Sequence, residues 1–148
     1  MSLWGWTLEA YARPEVPEIC LELQDAHGQN TSYLLWAVWA EGADPATLQS
    51  AAKAGRAWHE AVLKPIRAVR RTLKTPFEAI DDGARLGLRE DVKAAELRAE
   101  RVLMEAFEAL SEHRRGGRPA LTSLQAASRA WGPAAPDEIL ARLAHALG

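Results

Sequence analysis

The feature that most constrains the fold is the spacing of apolar side chains, which recur every three or four residues through almost the whole chain. Trp4, Leu8 and Tyr11 already follow this spacing, which places side chains on one face of an α-helix. No segment alternates apolar and polar residues as a surface strand does. Alanine, leucine, glutamate and arginine, all strong helix formers, dominate the rest of the chain. The sequence therefore predicts an all-α fold with no sheet.

Prolines and glycines divide this pattern into segments. The 148 residues suit one domain, and we predict a single compact orthogonal bundle of about seven helices spanning residues 1–148. Because an interior proline costs about 3 kcal/mol, Pro65 predicts a break near Leu63–Lys64, and residues 75–87 are expected to form a short helix and a connection. The predicted helical segments are residues 1–12, 17–27, 31–41, 45–63, 65–74, 88–112, 119–131 and 136–147.

Three sequence features bear on the cellular compartment. Cys20 is the single cysteine, so a disulfide framework is excluded. The first residues lack the basic and apolar regions of a secretory signal. The longest apolar run, residues 33–40, is far shorter than the roughly 20 residues that cross a bilayer. We therefore expect a cytoplasmic protein with no membrane association.

Charge is distributed unevenly along the chain, although the net charge is only −2. Residues 53–74 carry seven basic side chains against Glu60 alone, whereas residues 1–44 carry seven acids against Arg13 alone. Such asymmetry predicts either a local anion site or pairing between helices, and it argues against a general affinity for nucleic acid.

One candidate site is a polar turn, residues 24–30, between two predicted helices. Gln24, Asp25, His27 and Asn30 can hydrogen-bond a ligand, and the imidazole titrates near neutral pH. The alternative is structural, because Gly28 is placed to end one helix and Asn30 to cap the next.

The second candidate is a basic helix, residues 64–74. Lys64, Arg67, Arg71 and Lys74 are spaced to share one helical face, and Arg70 lies beside them. Arginine forks bind phosphate or carboxylate, so Arg67, Arg70, Arg71 and Lys74 are candidate ligand-binding residues. The alternative is a solvated face that complements the negative end of the helix dipole.

Other chemistry has no support in the sequence. The four histidines are far apart, and neither zinc spacing nor a nucleophile, phosphate or dinucleotide motif is present. We therefore expect no catalytic motif, no metal and no cofactor. Trp4 and Trp6 lie near the N-terminus and are candidate partner-binding residues, since tryptophan is enriched in interface hot spots. Their alternative role is to dock the first helix onto its own domain.

Two motifs carry a resemblance to a known family. They are CLxLQDxHGxN at residues 20–30 and PxRxxRRxLK at residues 65–74, with Trp39 and Trp58 between them. Together they resemble a proteobacterial family of small uncharacterised helical proteins, a domain of unknown function. The resemblance implies a bacterial helical domain, implies no activity, and favours one site that joins the polar turn to the basic helix.

Three functional hypotheses follow. The first is a helical module that binds a protein partner without catalysing a reaction. The second is a site for a small anionic or phosphorylated ligand between residues 24–30 and 64–74. The third is an enzyme that acts through His27 or Asp25.

Overall fold

The computed structural model describes residues 2–111 and 118–148, and 78% of these residues are helical. The predicted all-α fold is confirmed, and the described residues include no strand. Their helices pack against one another in a compact arrangement. The α-helices are α1 (Leu3–Tyr11), α2 (Val16–His27), α3 (Thr31–Ala40), α4 (Pro45–Trp58), α5 (Lys64–Thr72), α6 (Asp82–Leu110), α7 (Ala120–Trp131) and α8 (Asp137–Ala146).

Helix α3 lies at the centre because its apolar side chains cover nearly its whole circumference. Residues 33–37 are all buried, and α3 packs chiefly against α6 and α7. Tyr33 and Trp36 meet Trp131 of α7 and Phe107 of α6, with ring centroids 5.3 Å (Tyr33–Trp131) and 5.5 Å (Trp36–Phe107) apart. A Cβ at Gly55 would lie 3.1 Å from the Trp131 ring, closer than ordinary van der Waals contact, so glycine at this position favours the close approach of α4 to the aromatic cluster.

A π-helix, His59–Leu63, joins α4 to α5. The break expected near Leu63–Lys64 is not present, since the chain is helical from Pro45 to Thr72 without interruption. Pro65 has no N–H, and its ring would clash with the carbonyl four residues earlier in a regular α-helix. The wider π-turn, closed by the Lys64 N–H donating to the His59 carbonyl, relieves this conflict.

Helix α6 begins at Asp82, six residues earlier than the predicted start at residue 88. Asp81 caps it, because its Oδ2 accepts a hydrogen bond from the Ala84 N–H at 2.8 Å. Arg85 then donates to the Leu73 carbonyl at 2.6 Å, and Arg89 donates to the Arg70 carbonyl at 3.3 Å. These bonds tie the first turns of α6 to the end of α5, a tertiary effect that outweighs the glycines at 83 and 87.

The other predicted boundaries agree with the structure to within about two residues. Met1 and the predicted end of the long helix at residue 112 lie outside the described residues. Among the residues that the structure describes, no helix is long and apolar enough to cross a membrane.

Candidate functional site

The polar turn and the basic helix line one solvent-open cleft of about 530 Å³, here called the basic cleft. Its walls come from the turn between α2 and α3, from α4, the π-helix and α5, and from the end of α7. The lining residues are Gln24, Asp25, Gly28, Gln29, Asn30, Arg56, His59, Glu60, Lys64, Arg67, Arg71 and Trp131.

Five of the predicted ligand-binding residues therefore line this cleft, and three do not. Gln24, Asp25 and Asn30 face the same space as Arg67 and Arg71. The three that do not line it are His27, Arg70 and Lys74.

The two candidate partner-binding residues, Trp4 and Trp6, are partly buried and pack against the hydrophobic core. The guanidinium carbon of Arg101 lies 5.8 Å from the centroid of the Trp4 ring. Both tryptophans therefore help to dock α1 onto its own domain, which was the structural alternative for them.

The polar turn is held by the backbone and by the far end of the chain. Gly28 has a left-handed φ of 62°, and its N–H donates to the Leu23 carbonyl at the end of α2. Its own carbonyl accepts a hydrogen bond from the Trp131 indole at 3.0 Å. Asn30 caps α3, because its Oδ1 accepts from the Tyr33 N–H at 2.9 Å. Gly28 and Asn30 therefore end α2 and cap α3, the structural alternative given for the polar turn, and Asn30 also lines the cleft.

Gln29 is the buried polar residue of this wall, only 3% exposed. Its Nε2 donates to the Pro133 carbonyl at 2.8 Å. Its Oε1 has no hydrogen-bond partner among the described residues. A buried unpaired amide oxygen is unfavourable, and here it belongs to a residue that lines the basic cleft.

Ion pairs divide the cations of α5 into two groups. Arg67 lies between Glu96, at 3.4 Å, and Glu100, at 3.2 Å, and Arg70 lies 3.0 Å from Glu96. All four side chains are largely buried, with 14–29% of each side chain exposed. Part of the basic charge is therefore used for pairing between α5 and α6, one of the two roles that the charge distribution predicted.

Arg56, Lys64 and Arg71 keep their charge facing the cleft. The Arg56 guanidinium lies 5.0 Å from the centroid of the Trp131 ring and donates to the Gly132 carbonyl at 3.5 Å. Lys64 has an exposed partner, Glu60 at 3.5 Å, and such pairs contribute only about 0–1 kcal/mol. Arg71 is exposed, and its side chain forms no hydrogen bond or ion pair with a described residue.

His59 is the histidine of the cleft, and the sequence pattern singled out His27 instead. Burial, followed by the positive charges of Arg67 and Lys64, lowers the pKa of His59 below 6.5, against the opposing effect of Glu60. The imidazole is therefore neutral at pH 7 and can donate one hydrogen bond and accept another.

Arg56 carried a sequence signal that the expected break concealed. Arg56, Glu60, Lys64, Arg67 and Arg71 are separated by four, four, three and four residues, the spacing of one helical face. Only a helix that continues through Pro65 brings Arg56 and His59 into the same face as the α5 cations. The contribution of Trp131 and Gln29 depends on packing between distant segments, for which no local pattern exists.

Fold and site thus define an all-helical protein with a basic cleft between its polar turn and its α4–α5 helix. The chain belongs to the family described as "Protein of unknown function (DUF2390)", whose model matches residues 2–107. No curated protein and no solved structure matches the chain. Among the described residues, no group of three or more histidine, cysteine, aspartate or glutamate side chains is placed to hold a metal ion.

Proposed function

We propose that this protein binds a small anionic ligand, such as a phosphorylated metabolite, in the basic cleft. The observation that carries the proposal is the convergence of Arg56, Lys64 and Arg71 on the same cleft as the polar turn. Arginine and lysine side chains are the usual protein ligands of phosphate and carboxylate groups.

The polar turn suits the uncharged part of such a ligand. Gln24 and the neutral His59 offer hydrogen-bond donors and acceptors. Asp25 and Glu60 accept hydrogen bonds from ligand hydroxyl or amino groups. The cleft volume of about 530 Å³ lies in the range of small-molecule sites.

Two other hypotheses have weaker support. Of the two residues in the enzyme hypothesis, His27 does not line the cleft, whereas Asp25 does. Partner binding through Trp4 and Trp6 is opposed by their packing against the core. One observation still supports the binding of a protein partner. Residues 69–97 carry a series of exposed large apolar side chains. These are Val69, Phe77, Ile80, Leu86, Leu88 and Leu97.

The proposal includes action in the bacterial cytoplasm. It is supported by the resemblance of the two motifs and by Cys20, which is free and buried rather than part of a disulfide.

The test is thermal stabilisation by inorganic phosphate at constant ionic strength. Ligand at a hundred times its dissociation constant stabilises by about 2.7 kcal/mol, so the melting temperature should rise with the logarithm of phosphate concentration above the dissociation constant. Arg71→Gln should remove this rise, because Arg71 lines the cleft. Lys74→Gln is the matched control, since it removes the same charge from an exposed residue outside the cleft. Equal rises in both variants would show that phosphate acts through general salt effects.

A further inference from the structure

A second cavity, here called the apolar chamber, lies beside the basic cleft. It has a volume of about 360 Å³ and is walled by α1, the start of α3, the π-helix and α6. Leu8, Leu63, Leu97 and Met104 give it an apolar lining, to which Trp4 adds an aromatic ring.

The two cavities are contiguous at one edge. Asn30 and Arg67 line both of them, so these two side chains are all that the linings share. Arg67 is held there by Glu96 and Glu100, and Asn30 is held by its cap on α3. The edge is thus built from residues whose positions are fixed by other contacts.

The two cavities differ in charge on either side of this edge. The cleft contains the cations Arg56, Lys64 and Arg71, whereas the charged groups lining the chamber are Arg67 and Glu100, 3.2 Å apart and paired. A second anion gains nothing from a chamber whose cation is already neutralised. An apolar group that leaves water and packs against the apolar side chains of the chamber is stabilised by the hydrophobic effect.

Each cavity also contains one buried polar residue with a side-chain oxygen that has no hydrogen-bond partner among the described residues. In the chamber it is Thr7, which is 3% exposed and whose hydroxyl has no hydrogen-bond partner among the described residues. In the cleft it is Gln29. Such groups are rare in native proteins and call for an explanation such as an absent water or ligand.

We infer that the ligand is an amphipathic anion that spans both cavities, with its charged group in the basic cleft and its apolar part across the Asn30–Arg67 edge in the apolar chamber. This inference rests on the proposed function. It narrows the ligand class to phosphate or carboxylate compounds that carry a short alkyl or aromatic group.

The test is a series of alkyl phosphates from methyl to butyl, titrated by calorimetry well below their aggregation concentrations. Each methylene that becomes buried should tighten the dissociation constant about fourfold, or on the order of 50-fold between methyl and butyl phosphate. Ser32→Phe should remove this gain by filling the chamber, because Ser32 lines it. Ser50→Phe is the matched control on an exposed position of α4 that lines neither cavity.

A second pair of variants provides the same test if the Ser32→Phe protein does not fold. Leu97→Gln changes the chamber lining at a side chain that is 53% exposed, and Val102→Gln makes the same kind of change outside the chamber on the same helix, at a side chain 42% exposed. Only Leu97→Gln should reduce the gain with chain length.

The outcomes separate the two proposals. Equal affinity for methyl and butyl phosphate, or a gain that survives both chamber variants, overturns the inference and leaves the anion site standing. Binding of butyl phosphate that depends on Leu97 but not on Arg71 overturns the proposed function. If neither phosphate binds, both proposals fall.

Discussion

At the scale of single residues, the Arg56 guanidinium is held by other residues that line the cleft. Arg56 is positioned by the Trp131 ring, and Trp131 is positioned in turn by the Gly28 carbonyl. A guanidinium that is already ordered loses less conformational entropy on binding an anion. His59 differs from these residues because its environment disfavours its charged form.

His59 makes stability depend on pH in a predictable direction. Its pKa in the folded protein lies below 6.5 because of burial and of Arg67 and Lys64. The unfolded chain therefore binds more protons as pH falls through 6.5 towards the folded pKa, and stability falls with it. His59→Gln should thus lose less stability between pH 7.5 and pH 5 than the wild type, as measured by urea unfolding. An equal or greater loss in the variant would contradict the environment described for His59.

At the scale of elements, the same residues serve structure and site together. Asn30 ends the polar turn and begins α3, the most deeply buried helix of the fold. The π-helix likewise accommodates Pro65 while it presents His59 and Glu60 to the cleft. Single-turn π-helices are frequent at functional sites.

Two helix caps allow these roles to be separated. Asn30→Ala removes the cap of α3, and Asp81→Ala removes the cap of α6, where the capping oxygen lies 2.8 Å from the Ala84 nitrogen. Each change should lower the free energy of unfolding by about 0.5–2 kcal/mol. Only Asn30→Ala should also weaken phosphate binding in calorimetry, because Asp81 lies outside the cleft. Equal phosphate affinity in the two variants would mean that Asn30 acts as a cap alone.

At the scale of the whole molecule, the core extends beyond the part that the family model matches. The match ends at residue 107, yet α7 packs against α3 and α4, and α8 packs against α2 and α7. Trp131 closes the aromatic cluster and one wall of the cleft. The buried side chains of these two helices include Leu124, Ala127, Ile139, Leu140 and Leu143.

Residues 1–111 alone should therefore fail to fold cooperatively. Each large buried aliphatic side chain contributes about 1.5–3 kcal/mol, whereas a whole domain is stable by only about 5–15 kcal/mol. Loss of the four from α7 and α8 removes much or all of that margin. Calorimetry should show no cooperative melting transition in this fragment, with the full chain as the control. A sharp transition near that of the full chain would show that α7 and α8 are dispensable.

Most of the fold was predictable from local patterns, whereas the site was predictable only in part. Helical spacing, together with Gly28 and Asn30 at helix ends, predicted the elements because these signals act within a few residues. The start of α6 was missed because Arg85 and Arg89 reach another helix to stabilise it. The pairing of Arg67 with glutamates 29 and 33 residues away has the same origin.

The π-helix also determines which way the side chains of α5 face relative to those of α4. Its hydrogen-bonded ring, Lys64 to His59, contains one residue more than an α-turn does. If this extra residue is not counted, Arg56 lies seven residues before Lys64, the same separation as between Lys64 and Arg71. Seven residues are almost two full turns, so the three cations fall on one stripe about 10 Å apart. Arg70 and Lys74 do not line the cleft. A related chain with one residue fewer between positions 58 and 64 would present the same stripe from a regular α-helix, and an alignment of the two requires a gap there.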